Sequence, residues 1–113
     1  FVDVTKADFI GKAALAAEHA RGAAQRFVPL IFDDDGDAES PYCAQVFDGD
    51  SNVGLTTSGV WSHTLKKSVA LAYVKADKAT PGTKLQVNVL GAMRSATVHA
   101  EPLYDPKNEK LRA

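Results

Sequence analysis

One cysteine, one methionine and one tryptophan among 113 residues leave little room for sulfur or indole chemistry. With Cys43 alone no internal disulfide can close, which fits a reducing compartment. No apolar run approaches the ~20 residues of a membrane-spanning helix, so no membrane partner is expected. No secretory leader is visible at the start. Surplus positive charge is missing as well: 13 Lys and Arg against 14 Asp and Glu give a net charge of −1. A broad footprint for nucleic acid or an anionic surface needs excess Lys and Arg to neutralise phosphates, so no nucleic-acid partner is expected either. No Gly-rich phosphate loop follows a strand, and the string Thr57-Ser58-Gly59 is not a nucleophile elbow.

What remains is the composition of an ordinary globular domain, 45% hydrophobic and 24% charged. The length suits one domain with a core of its own. The opening FVDVTK reads as mid-chain, so the sequence is expected to be a fragment of a larger protein. The front, Thr5 to Gly22, reads as a helix. Phe9, Ala13, Ala17 and Ala20 recur at helical spacing, Asp8 is placed to cap it, Thr5 with Asp8 forms a weak capping box, and Gly22 is a natural stop.

From Arg26 onward strands take over. Arg26–Phe32, Tyr42–Phe47, Val53–Thr57, Val69–Val74, Lys84–Leu90 and Ser95–Ala100 are the six expected strands. Ser58 to Lys66 reads as a loop, and Val69–Val74, mostly apolar, as a strand buried on both sides. The expected fold is therefore mainly β: a small six-stranded antiparallel barrel or sandwich preceded by one N-terminal α-helix. Residues 1–25 form the helical segment and 26–113 the barrel.

Few residues stand out chemically. The acidic run Asp33–Asp37 lacks the ligand spacing and flanking helices of an EF-hand and reads as a solvated hairpin loop, as does Asp48-Gly49-Asp50. His19, His63 and His99 are not at metal-ligand spacing to one another or to Cys43, so no metal is expected. His19 and His99 read as surface residues, and Cys43 as a small buried thiol within a strand. No acid–base pair is legible, and no catalytic residue is assigned. Trp61, in the VWSH loop, is either an exposed contact residue or a plug at one barrel end.

Four segments carry a resemblance that covers almost the whole chain. FIGKAAL (Phe9 to Leu15), VGLTTSGVWSHTLKKSVALAYV (Val53 to Val74) and PGTKLQVNVLG (Pro81 to Gly91) resemble, in that order, the C-terminal barrel of the glycine-cleavage T protein (aminomethyltransferase) family. The tail EPLYDPKNEKLR (Glu101 to Arg112) is closer to the ends of dimethylglycine and sarcosine dehydrogenases or oxidases. Ser62-His63 stands where glycine-cleavage members usually have Ser-Pro, which leans the same way.

The resemblance implies a C-terminal accessory domain of a tetrahydrofolate-dependent enzyme. Such a domain helps to close a folate cavity built mainly by upstream domains of the same polypeptide. It implies FAD in a further upstream domain if the parent is of the dehydrogenase type. It places the parent in the cytoplasm of a bacterium or the mitochondrial matrix of a eukaryote. No catalysis is expected from the 113 residues alone. Trp61, Tyr104 and Arg26 are the residues expected to face the cofactor, Arg26 because a guanidinium can bind a folate carboxylate bidentately. For each of the three the simpler role is interdomain packing. The competing reading is a free-standing β-barrel that binds a protein or an oligonucleotide. It predicts a complete polar surface and, for nucleic acid, a basic groove with stacking aromatics.

Overall fold

A computed structural model describes residues 2–100 and 102–113. Six strands close into an antiparallel barrel: β1 (Gln25–Phe32), β2 (Gln45–Asp48), β3 (Ser51–Ser62), β4 (Lys67–Lys75), β5 (Lys84–Val89) and β6 (Ala92–Val98), in the order β1-β4-β3-β2-β5-β6. One helix, α1 (Lys12–Arg21), precedes them. Of the two architectures the strand pattern allowed, closure selects the barrel, which leaves no open sheet edge.

Alternation along each strand builds the core. Val28, Leu30 and Phe32 of β1, Ala70, Ala72 and Val74 of β4, and Leu85, Val87 and Val89 of β5 all turn inward and are buried. Ala96 and Val98 close the set from β6. Ala70 and Ala72 of β4 share the core cluster with Phe32, Leu30 and Leu85, so large and small side chains fill one narrow interior. No buried side-chain polar atom among the described residues lacks a hydrogen-bond partner. A closed ladder around an apolar core gives residues 25–98 a hydrophobic core of their own.

Several expectations need correction. The helix starts at Lys12, not Thr5, and its N-cap is Gly11 at φ 88° with no side-chain cap; Asp8 is exposed and caps nothing. Thr5 is drawn into a local turn instead, its amide bonding the Asp3 carboxylate at 2.9 Å. Gly22 does end the helix, its amide reaching the Glu18 carbonyl at 2.8 Å.

β3 does not stop at Thr57. It runs through a bulge between Thr56 and Ser58 to Ser62, so the expected loop shrinks to a tight turn over 63–66 with Lys66 at φ 54°. A bulge lets one strand bend without breaking its ladder, which is how Ser58-Gly59, read as the start of a loop, sits inside a strand. β2 begins only at Gln45; Cys43 lies before it in a left-handed turn at φ 60° and is exposed rather than buried. His99 lies just past the end of β6 and is half-buried, its amide bonded to the Pro29 carbonyl at 2.9 Å.

β4 is buried on one side only: Leu71 and Tyr73 on its outer face are exposed. The helix buries none of its side chains. The radius of gyration, 16.1 Å, exceeds the roughly 13 Å of a close-packed chain of this length, in keeping with a helix that buries no residue against the barrel.

Candidate functional site

The 33–44 connection crosses one barrel end, and charge holds it there. Arg94 of β6 lies over the Phe32 ring, 4.4 Å from its centroid. Its guanidinium forks onto both Asp34 carboxylate oxygens and donates to the Gly36 carbonyl at 2.8 Å and to the Ala38 carbonyl. Asp33 accepts from Thr97 at 2.7 Å and from Lys84 at 2.9 Å, while Lys67 pairs with Asp35 at 2.6 Å. The Thr97 hydroxyl holds the Asp33 carboxyl below its ordinary value of 3.8, with help from Lys84. The Arg94 hydrogen bonds do the same for Asp34. Both carboxyls are therefore ionised anchors at neutral pH, not proton donors. The acidic run is exposed, as a solvated loop should be, but it is not the expected hairpin loop: it joins β1 to β2, which lie apart in the barrel order. Among the described residues no cluster of His, Cys, Asp or Glu could hold a metal ion.

The TSG block fastens the second half of that connection. The Thr56 hydroxyl is fully buried; it donates to the Pro41 carbonyl at 2.8 Å and accepts from the Ala44 amide at 2.9 Å. The Cys43 amide bonds the Thr56 carbonyl at 2.9 Å, and the Ser68 hydroxyl reaches the Gly36 carbonyl at 3.1 Å. Gly54 and Gly59 are required by close approach: a Cβ would come within 2.1 Å of the Tyr73 carbonyl at one and 2.3 Å of the Ser40 carbonyl at the other. The motif that identifies the sequence thus serves to clamp residues 38–44 against the barrel wall.

Outside the core, the wall made by β1, β4 and β3 is apolar. Phe27 pairs with Tyr73, and Tyr73 with Leu55; Pro29 pairs with Leu71; Ile31 pairs with Val69, and Val69 with Val60. The tail covers part of this wall, so that Pro102, Leu103 and Tyr104 enclose with Leu71 and Val60 a groove of about 370 Å³. The other part stays open as a groove of about 640 Å³ floored by Leu55 and Tyr73 and flanked by Tyr42 and Gln25. The opposite wall, β5 and β6, presents Gln86, Asn88, Ser95 and Thr97 at the corresponding outward positions. The alternation pattern could have revealed this asymmetry, because outward positions of β1 and β4 are apolar where those of β5 are polar.

The three residues singled out from sequence lie apart. Trp61 pairs with Ser68, whose side chain is wholly inside, so the register sets Trp61 on the inward face of β3 at the barrel end covered by the acidic loop. It is half-buried, and its amide donates to Glu39 Oε1 at 3.0 Å. Tyr104 lines the tail groove. Arg26 is exposed and lines a third depression, of about 360 Å³, with Phe27, Pro81 and His99. No one cavity gathers them.

Known proteins match this architecture. Residues 25–105 fit the family model described as the glycine cleavage T-protein C-terminal barrel domain. A probable aminomethyltransferase of Pyrococcus abyssi is 35% identical over 104 residues, which cover 92% of this chain and 26% of that protein. The mitochondrial dimethylglycine dehydrogenase of Homo sapiens is 37% identical over 116 residues, covering 99% of this chain but 13% of that enzyme. Among solved structures, the glycine cleavage system aminomethyltransferase T of Bartonella henselae superposes with a TM-score of 0.80 at 25% identity, over 91% of this chain and 28% of that one. The chain thus spans about a quarter, or less, of the relatives it matches.

Proposed function

Because the chain belongs to the glycine cleavage T-protein C-terminal barrel family, we propose that it is one domain of a longer, tetrahydrofolate-dependent aminomethyl- or methyl-transferring polypeptide, in which it helps to close the folate cavity. The observation that carries this reading is the match of nearly the whole chain to only 26% of an aminomethyltransferase. A domain used as a wall needs rigidity and a shaped face rather than reactive groups. The barrel supplies the first through its filled core and clamped loop, and the second through its apolar wall.

The residues present do not make a folate site by themselves. Arg26, Trp61 and Tyr104 lie in three different places, and a folate needs an enclosed slot with convergent polar groups. Any contact from Arg26 to a ligand carboxylate, or from Trp61 or Tyr104 to a ring, is completed by groups outside these residues. The same holds for FAD in a dehydrogenase-type parent: this chain has no dinucleotide-binding glycine loop.

Within the family, the tail favours the dehydrogenase branch. The match to the human dimethylglycine dehydrogenase extends over 99% of the chain, and that to an aminomethyltransferase of Halalkalibacterium halodurans over 95%, so the branch rests on the tail's own residues rather than on match length. The competing picture of a free-standing barrel requires a complete polar surface, and the exposed Phe27, Leu55 and Tyr73 are the opposite of one.

Native size tests both points. If 104 residues are 26% of an aminomethyltransferase, that protein has about 400 residues; if 116 are 13% of a dehydrogenase, that one has about 900. An antibody raised against the barrel should detect, in cells that express the gene, a polypeptide of one of these sizes, the larger for the dehydrogenase branch. A native species of 12.0 kDa, the mass of this chain alone, would overturn the proposal.

A further inference from the structure

We infer that the open groove floored by Leu55 and Tyr73 is the seat on which the folded domain preceding this barrel in the same polypeptide docks. The inference rests on the reading above that such a domain exists, and adds to it a particular face.

The groove has the composition of an interface rather than of a free surface. Leu55, Tyr73 and Tyr42, which line it, are 44%, 49% and 77% exposed, and Phe27 at its edge beside Tyr73 is 52% exposed. The rings of Phe27 and Tyr73 lie 5.0 Å apart, tilted by 47°. Gln25, Gln45, Asn52, Thr57 and the charged Lys75 border this apolar centre, giving the apolar core and polar rim of protein–protein contacts. The neighbouring Cys43 holds the Tyr42 hydroxyl above its ordinary value of 10.0, so the patch is uncharged there at neutral pH.

The patch is also held rigid. Tyr42 sits next to Cys43, a non-glycine residue at φ 60°, a conformation that persists only where its surroundings impose it. The Thr56 clamp does so from below, with the Cys43 amide on the Thr56 carbonyl. A fixed aromatic presentation lowers the entropy lost on docking.

Chain entry selects the occupant. Gln25, the first residue of β1, lines the groove, and only residues 22–24 separate it from α1. The end of α1 therefore lies at most about 14 Å from Gln25. That helix has ten residues and buries none of them, with Ile10 just before it wholly exposed and Leu15 exposed within it. An isolated helix shorter than about 12–15 residues is marginal in water. It needs a body to rest on, and the same body reaches the groove. The tail cannot be that body, because residues 102–104 cover the adjoining half of the wall.

Hydroxyl-radical footprinting read by mass spectrometry tests this on the native full-length polypeptide beside the 113-residue chain. Oxidation of Tyr42, Leu55 and Tyr73 should fall at least about tenfold in the full-length protein. Leu90 and Met93, exposed on the β5–β6 hairpin, should react equally in both. Equal oxidation of the groove residues in both proteins overturns the inference, as does protection confined to Leu90 and Met93. Protection of the groove in the short chain that grows with its concentration assigns the face to a second copy and overturns it too. A long polypeptide with an unprotected groove removes only the docking face. A native polypeptide of 12.0 kDa removes the functional reading beneath it.

Discussion

The Thr56 hydroxyl donates to the Pro41 carbonyl while it accepts from the Ala44 amide, so removing one oxygen disturbs two backbone groups of the crossing loop. Thr56→Val keeps the shape and deletes the bonds. It should cost roughly 1–3 kcal/mol, the penalty of buried polar groups left without partners. Urea unfolding followed by circular dichroism should show a lower midpoint at unchanged slope; an unchanged midpoint would mean that the clamp contributes nothing. Gly54→Ala, which drives a methyl towards the Tyr73 carbonyl, should be costlier than a usual overpacking of about 1–3 kcal/mol, because backbone rather than a flexible side chain blocks it. The TSG block was legible in the sequence as a family mark, but its purpose was not. Spacing does not reveal that Gly54 and Gly59 face backbone from strands and loops remote in the chain.

Among the elements, the acidic connection makes the clearest pH prediction. Asp33 and Asp34 both have native values below the ordinary 3.8. A depressed native value means that the fold favours the ionised form. The resulting stability is complete above the unfolded value and is lost as pH falls through the native one. The melting temperature should hold from neutral pH to about 5 and decline below about 4. The double variant Asp33→Asn/Asp34→Asn should start lower at neutral pH and decline less steeply; thermal melts across that range decide it, and parallel curves would contradict it. Arg94→Lys should lose roughly 1–3 kcal/mol despite keeping the charge, since an ammonium cannot fork onto Asp34 and also reach two carbonyls.

Strand periodicity was legible at this scale, because inward Leu85, Val87, Val89, Ala96 and Val98 alternate with polar neighbours. The helix start was not. Gly11 takes a left-handed conformation that neither Asp8 nor Thr5 announces. Nor was the exposure of Cys43, which depends on a turn imposed by Thr56 from thirteen residues away.

For the whole molecule, the informative departure is β4. Its apolar run reads as a strand buried on both faces, and the structure buries one. The sequence pattern and the exposed Leu71 and Tyr73 agree once the outer face has a partner. In the 113-residue chain, Leu55→Thr/Tyr73→Thr should cost no more than about 1–2 kcal/mol, because both side chains are already substantially exposed and the pair keeps β-branched residues opposite each other without adding charge. The same pair should sharply reduce binding of a hydrophobic fluorescent dye; unchanged dye binding would show that the groove is not the accessible apolar surface. Fold class and family were legible because they reside in alternation and in ordered motifs. The separation of Arg26, Trp61 and Tyr104 was not, because barrel closure alone decides which strand ends meet.

Calorimetric titration with tetrahydrofolate, run on the 113-residue chain and on the intact polypeptide under one set of conditions, tests the central claim most directly. A wall that contributes to a composite cavity lacks most contacts and most preorganisation when alone. Clear binding by the intact protein with no heat from the barrel is the predicted result. Micromolar binding by the barrel alone would contradict it and place the folate site within these residues, with Trp61 the first side chain to replace.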